Sequence, residues 1–296
     1  MNAMPAKIES LRISYLQQLN LLDTDAEKQF DQITQLAASF YDVPIALVSL
    51  VDSNRQWFKS KKGLDVCETD RDIAFCSHAI AFDEVMLIND ARVDPRFKDN
   101  PLVIHDPHVV FYAGAVLRPD HINAIGTLCI IDNSPRSFVL EDMANLRLLA
   151  DQVEELIRLH QKRQQLEQAK QSSTYFSKRL SAIVNSLAVG ILRISATGQI
   201  LDVNDFVLKL LGYTRDELLN QNVKLLMPSP IAEQHHRYVQ NYLDTKQSNI
   251  MDKGREVLAK HKDGHTLPVH LSISCFEFDQ EEIEFVGVLT DLTNCK

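Results

Sequence analysis

Positive charge is the first thing this sequence is short of. Its 31 lysines and arginines are outnumbered by 40 aspartates and glutamates, which leaves a formal charge of -9 at pH 7. A nucleic-acid-binding surface needs a basic face, so no nucleic-acid partner is expected. Long apolar runs are missing too. The longest, around Ile45–Val51, has the length of a strand rather than of a membrane span, and no membrane association is expected. Residues 1–10 contain no apolar secretory leader. Cysteine is sparse and scattered: Cys67, Cys76, Cys129, Cys275 and Cys295 are odd in number and lack C-x-x-C spacing. That pattern suits reduced thiols in a cytoplasmic protein. No phosphate-binding glycine loop, nucleophile elbow or pair of catalytic acids is legible, so no catalytic domain is expected within the chain.

What is present is globular. The 296 residues suffice for two domains, and 45% hydrophobic with 24% charged residues is a core-forming balance. In the first half, Thr24-x-x-Glu27 reads as a capping box before a helix carrying Phe30, Ile33, Leu36, Ala37 and Phe40 at helical spacing. Strands are predicted at 43–51, 56–61, 85–88, 109–117 and 124–131, with a further helix from about residue 140. The predicted class is α+β, an antiparallel sheet bracketed by helices.

Several blocks in this half resemble bacterial GAF domains: Phe75-Cys76-Ser77-His78-Ala79-Ile80, Asp94-Pro95-Arg96-Phe97, Asn100-Pro101-Leu102, Phe111-Tyr112-Ala113-Gly114 and Gly126-Thr127-Leu128-Cys129-Ile130-Ile131-Asp132. The resemblance covers residues 23–159, leaving 1–22 as an N-terminal helix or tail. It implies the GAF fold and a small-molecule ligand of unspecified chemistry. Cys76 and His78 lack the further ligands a zinc site wants, and read as a buried thiol and a locally bonded imidazole.

Residues 140–159 are strongly helical, and the polar run at 161–173 continues them. Leu159, Leu166 and Leu180 keep a seven-residue interval interrupted by Ser173. Either a two-stranded coiled coil joining two copies of the chain or a single solvated helix would fit; the homodimer is the favoured expectation, with 160–180 as linker.

The second half, 181–296, predicts strands at 189–194, 199–203, 257–261, 267–275 and 284–290. Asn204 is placed as an N-cap, Gly212 as a helix stop and Thr214-x-x-Glu217 as a second capping box. Asp263-Gly264 reads as a type I′ hairpin turn. Between these lies a helix in which Ile231, His235, Tyr238, Val239 and Tyr242 fall on one stripe, which turns His235 toward the core. A buried imidazole needs a partner: a backbone carbonyl, or a metal. On the strand after it, Arg255 shares a face with Val257. If Val257 looks inward, so does Arg255, and a guanidinium there must be paired. Leu267, Val269, Leu271 and Ile273 alternate inward on the next strand, with His270 pointing out.

The stretch Leu226-Met227-Pro228-Ser229-Pro230, His235, Gly254-Arg255, Lys262-Asp263-Gly264 and Leu267-Pro268-Val269-His270-Leu271-Ser272-Ile273 resembles the haem-binding PAS domains of FixL-type oxygen sensors. That resemblance implies haem b, with His235 as proximal iron ligand, Arg255 as the arginine that bonds the gas ligand, and Ile250, Tyr238, Val239, Leu271 and Ile273 around the porphyrin. Asn241 and Asn249 stand where the family holds the haem propionates with arginine and histidine. Three functions follow as expectations: a gas-sensing haem module, a haem-free dimerisation and transduction module, or a GAF-domain sensor of a small metabolite or cyclic nucleotide. In each case a downstream effector domain or protein is expected, of histidine kinase or diguanylate cyclase type.

Overall fold

The computed structural model describes residues 5–82, 84–245, 254–278 and 282–293. The chain forms two compact units, Met1–Ala169 and Lys170–Lys296. The first comprises α1 (Ala6–Gln18), α2 (Lys28–Phe40), β1 (Ile45–Val51), β2 (Arg55–Lys62), β3 (Glu68–Asp70), α3 (Phe75–Ala79), β4 (Val85–Ile88), α4 (Pro101–Ile104), β5 (Phe111–Leu117) and β6 (Gly126–Asp132). The long helix α5 (Leu140–Ser186) follows and runs on into the second unit.

The strands of the first unit form one antiparallel sheet in the order β3-β2-β1-β6-β5-β4. Both of its faces are covered. Leu16, Phe30, Ala37, Leu50, Leu128, Leu146 and Val153 build the core on one side. Phe75, Phe97, Met86, Tyr112, Val116 and Cys129 build it on the other. Burial on both faces explains why β1, β5 and β6 read as continuous apolar runs: every residue in them is buried. The strand at 68–70 was not anticipated; Glu-Thr-Asp carries no apolar signal.

Two local expectations fail here, for one reason. Thr24 does not cap α2. It donates instead to the Leu21 carbonyl at 2.7 Å and receives the Lys59 ammonium at 2.7 Å. Glu27 pairs with the same ammonium at 2.7 Å. Lys59 is buried on β2, and a buried charge draws in every polar group within reach. The α2 stripe is also displaced: Phe30, Thr34, Ala37 and Ala38 are buried, while Leu36 and Phe40 are exposed. The N-terminal helix is part of the packed unit, with Leu16, Leu19 and Leu21 in its core.

The second unit contains β7 (Gly190–Ser195), β8 (Ile200–Val203), α6 (Asp205–Leu211), α7 (Arg215–Leu218), a 3-10 turn (Val223–Leu226), α8 (Ser229–Thr245), β9 (Arg255–Lys260), β10 (Thr266–Phe278) and β11 (Glu282–Asp291). Its sheet runs β8-β7-β11-β10-β9, all pairs antiparallel. Local signals hold well here. Asn204 caps α6 through Val207 N–H, Gly212 ends it at φ 73, and Thr214 and Glu217 form the capping box of α7. The β9–β10 turn differs from expectation. Among its described residues only Gly264 takes positive φ, and His261 N–H reaches the His265 carbonyl, so the loop is the three-residue kind rather than type I′.

Candidate functional site

The Leu226-Met227-Pro228 turn launches α8, with the Pro228 carbonyl accepting from both Ile231 and Ala232 N–H. α8 is amphipathic, yet none of its residues is buried. Its inner face is half-buried and consists of Ala232, His235, Val239, Tyr242 and Leu243. Val239, Tyr242 and Leu243 pack on the core, Tyr242 meeting Phe285 edge-on at 5.7 Å. The stripe is therefore rotated toward Leu243 relative to the one read from spacing. Tyr238 and Ile231 lie on its margin and are exposed, and the Tyr238 hydroxyl donates to Gln234 at 2.7 Å.

His235 does face inward. Burial, with Lys224 and then His236 adding to it, holds its imidazole below the usual histidine range, so it is neutral near pH 7. A neutral imidazole is the form that ligates a metal. Opposite it, β10 presents Leu267, Val269, Leu271 and Ile273 on one face, with Val269 fully buried and the others half-buried. Gly287 sits across from Ile273 on β11, and Leu271 packs over it: a Cβ there would come within 3.3 Å of Leu271 Cδ1. The inner face of α8 and this face of the sheet are therefore apolar and half-buried, with His235 as the polar group on the helix side. Spacing gave no sign of Gly287, because a lone glycine in a strand has several readings.

Arg255 is placed differently from expectation. Val257 is half-buried and Ala259 buried, but Arg255, on the same side of the alternation, is exposed. It opens β9, the edge strand, opposite Leu271, and the packed neighbours that cover Ala259 do not extend to that end. Alternation sets which way a side chain points, not whether anything lies beyond it. His270, expected to point out, is half-buried. Asn241 is exposed; Ile250 and Asn249 lie outside the described residues.

Two other polar groupings are satisfied within themselves. His261 and His265 both hydrogen-bond the Asp263 carboxylate at the hairpin tip. An open cleft of about 410 Å³ in the first unit is lined by Arg118, Arg147 and Arg158. Glu154 pairs there with Arg147 at 2.7 Å and Arg158 at 3.7 Å, and accepts from the Arg118 backbone N–H at 2.8 Å.

Comparison with known proteins places both units. The sequence pattern of the GAF domain matches residues 25–157, and that of the PAS fold matches residues 178–292. The chain is 42% identical over 153 residues to a cyclic di-GMP phosphodiesterase of Pseudomonas aeruginosa, a match covering 51% of this chain and 26% of that protein. It is 39% identical over 85 residues, in the second unit, to the sensor protein FixL of Bradyrhizobium diazoefficiens, covering 29% of this chain and 17% of that protein. The chain thus spans about a quarter or less of these relatives. Among solved structures, a PAS domain of an HTR-like protein from Haloarcula marismortui aligns at 26% identity and a TM-score of 0.35, covering 42% of this chain and 98% of that one. No helix of the described residues is long and apolar enough to cross a membrane.

Proposed function

Because the chain is a GAF domain followed by a PAS domain, two sensory folds of signal transduction, we propose that it is the input segment of a bacterial signalling protein and that its PAS domain holds haem through His235. The single observation that carries this reading is the half-buried His235, held in its neutral form by burial, on an amphipathic helix none of whose residues is fully buried. The residues present fit such a group in kind: a half-buried imidazole on α8, and aliphatic Leu271 and Ile273 on the inner face of the sheet. Bound there, haem would supply an iron centre open to a diatomic gas. His235 would hold its iron. Leu271, Ile273 and Val239 would exclude water from its faces. Arg255, at the exposed start of β9, would donate charge-assisted hydrogen bonds to a partly negative gas ligand.

The test is the visible spectrum of the protein with and without added haemin. A Soret band that appears on addition and is lost in His235→Ala supports the reading. No uptake, or uptake unchanged in His235→Ala, overturns it.

The exposure of Arg255 favours a second reading, in which the PAS domain transduces without haem and His235 is a structural residue. A protein that takes up no haemin yet is strongly destabilised by His235→Ala would meet that description. In both readings α5 joins two copies of the chain through Leu159, Leu166 and Leu180, which are all exposed along its length. The output belongs to an effector that acts on a phosphotransfer or cyclic di-GMP pathway, in a cytoplasmic setting.

A further inference from the structure

The face of the GAF sheet that packs under α3 carries a group of polar side chains that the sensor reading above does not use. β1 contributes Ser49, β5 Tyr112, β6 Thr127 and Cys129, and α3 Cys76. All five are buried. The sulfurs of Cys76 and Cys129 lie 3.7 Å apart, although 53 residues separate them in sequence. The Tyr112 hydroxyl donates to Cys76 Sγ at 3.3 Å and the Thr127 hydroxyl at 3.0 Å. Thr127 is in turn 3.2 Å from the Ser49 hydroxyl.

A neutral thiol is a weak acceptor, and buried hydroxyls ordinarily find oxygen partners. Two hydroxyls and a second thiol gathered on one sulfur make the environment of a thiolate. Burial pushes Cys76 up, but hydrogen bonds from Cys129, Ser49, Thr127 and Tyr112 outweigh it and draw the group below the usual thiol range. The neighbouring Cys76, then burial, push Cys129 the other way. The two sulfurs are unequal in their surroundings: the Tyr112 and Thr127 hydroxyls both point at Cys76, which makes it the sulfur better placed to carry negative charge.

We propose that Cys76 is a thiol oxidised by hydroperoxides and that Cys129 resolves it as a disulfide within the GAF domain. The Cys76 thiolate attacks a peroxide oxygen of ROOH. The O–O bond breaks, the alkoxide takes a proton and leaves as ROH, and the sulfur becomes a sulfenic acid. Cys129 then attacks the Cys76 sulfur; the S–O bond breaks, and the hydroxide takes the Cys129 proton and leaves as water. Two thiols and one hydroperoxide yield one disulfide, one alcohol and one water. The sulfurs must close by roughly 1.7 Å to reach the ~2.05 Å of a disulfide. α3, a helix of five residues, is the element that moves. It carries Phe75, stacked on Phe97 at 4.2 Å and on Tyr112 at 5.3 Å, so closure of the bond repacks the aromatic core beneath it. Peroxide reaches the pair when α3 opens locally, and the reaction rate reads that opening.

The experiment exposes the reduced full chain, haem-free, to graded hydrogen peroxide, alkylates remaining thiols in denaturant and maps cysteines by mass spectrometry. Exposed Cys67 serves as the internal comparator. The expected first product is a peptide pair linked through Cys76 and Cys129, formed before Cys67 is consumed. Cys129→Ser should accumulate a dimedone-reactive sulfenic acid at Cys76, and Cys76→Ser should leave Cys129 reduced. Oxidation of Cys67 while both buried thiols stay reduced overturns the proposal. So does a link that forms only after denaturation, an outcome that wild-type protein alone decides even if the variants fail to fold.

Discussion

Asn204 donates its side-chain amide to the backbone carbonyl of Val184 at 3.3 Å, tying the last turn of α5 to the start of the PAS sheet. The same amide donates to the Val189 carbonyl at 2.8 Å, and its oxygen accepts from Ile191 N–H at 2.9 Å while capping α6 through Val207 N–H at 3.2 Å. One buried side chain thus holds a helix end, a turn, a strand and a helix start.

Asn204→Ala should lower PAS-domain stability by about 2 to 3 kcal/mol, because it leaves several buried backbone groups without partners. Denaturant unfolding of wild type and variant measures the loss. Proteolytic cleavage should rise at residues 184–190 before it rises elsewhere. A variant as stable as wild type would mean that water replaces the amide.

Arg12 and Glu9 anchor α1. Arg12 is buried, donates to the Val51 carbonyl at 2.6 Å and pairs with Glu9 at 2.7 Å; Arg71 pairs with Glu9 from the other side at 2.7 Å. The Arg12 hydrogen bond holds the Glu9 carboxyl down to about 2, against the upward push of burial and with help from Arg71. The folded value is lower than the unfolded one, so this stability is fully present above about pH 4.5 and is lost as pH falls toward 2. Glu9→Gln should cost about 2 kcal/mol, a figure discounted for the partial exposure of Glu9, and should flatten the acid limb in that window. An unchanged acid limb would count against the pair.

His78 supplies a second pH dependence, of the same sign. Its Nδ1 is buried without a hydrogen-bond partner among the described residues, and its ring stands edge-on to Phe97 at 4.7 Å. Burial first, and Arg96 second, hold it below the usual histidine value, with Asp94 opposing. The unfolded chain therefore binds more protons than the folded one below about pH 6.5, and stability falls as pH drops through that region. His78→Gln should remove part of that slope below about pH 6.5. Thermal unfolding measured across that range reads it directly; equal slopes in both proteins would exclude His78 as the source.

The apolar positions along α5 give the fourth expectation. Leu159, Leu166, Leu180 and Ile183 are exposed on one helix, alongside Tyr175 and Phe176. We propose that a second copy covers this seam with a coiled-coil interface. Leu166→Lys with Leu180→Glu should weaken self-association by at least roughly tenfold, about 1.4 kcal/mol, and shift the species seen in sedimentation toward monomer. A wild-type chain that sediments as a monomer at high concentration would refute the coiled coil.

Signals confined to a few neighbouring residues carried over into the structure. The Asn204 cap, the Gly212 stop and the Thr214–Glu217 box are each made between atoms within four residues of each other, and the distant partners of Asn204 and Glu217 add to these bonds without displacing them. Thr24 shows the opposite case: the same motif lost its cap to Lys59, 35 residues away, because a buried ammonium outbids a backbone N–H. Arg255 and Tyr238 repeat the lesson at the candidate site. Their side-chain directions follow from strand and helix periods, but their exposure depends on where the opposing layer ends.

The amino-acid sequence by itself determined the two α+β domains, their order, most of their strands and the inward turn of His235, since each follows from hydrophobic period and turn chemistry. Only the tertiary structure decided that Arg12 is buried in the GAF unit, that Arg255 stands in solvent, that Leu271 packs over Gly287 and that Cys76 meets Cys129. Each of these depends on which segments, far apart in the chain, close over one another, and burial at such contacts is a property of the packed layers rather than of any local pattern.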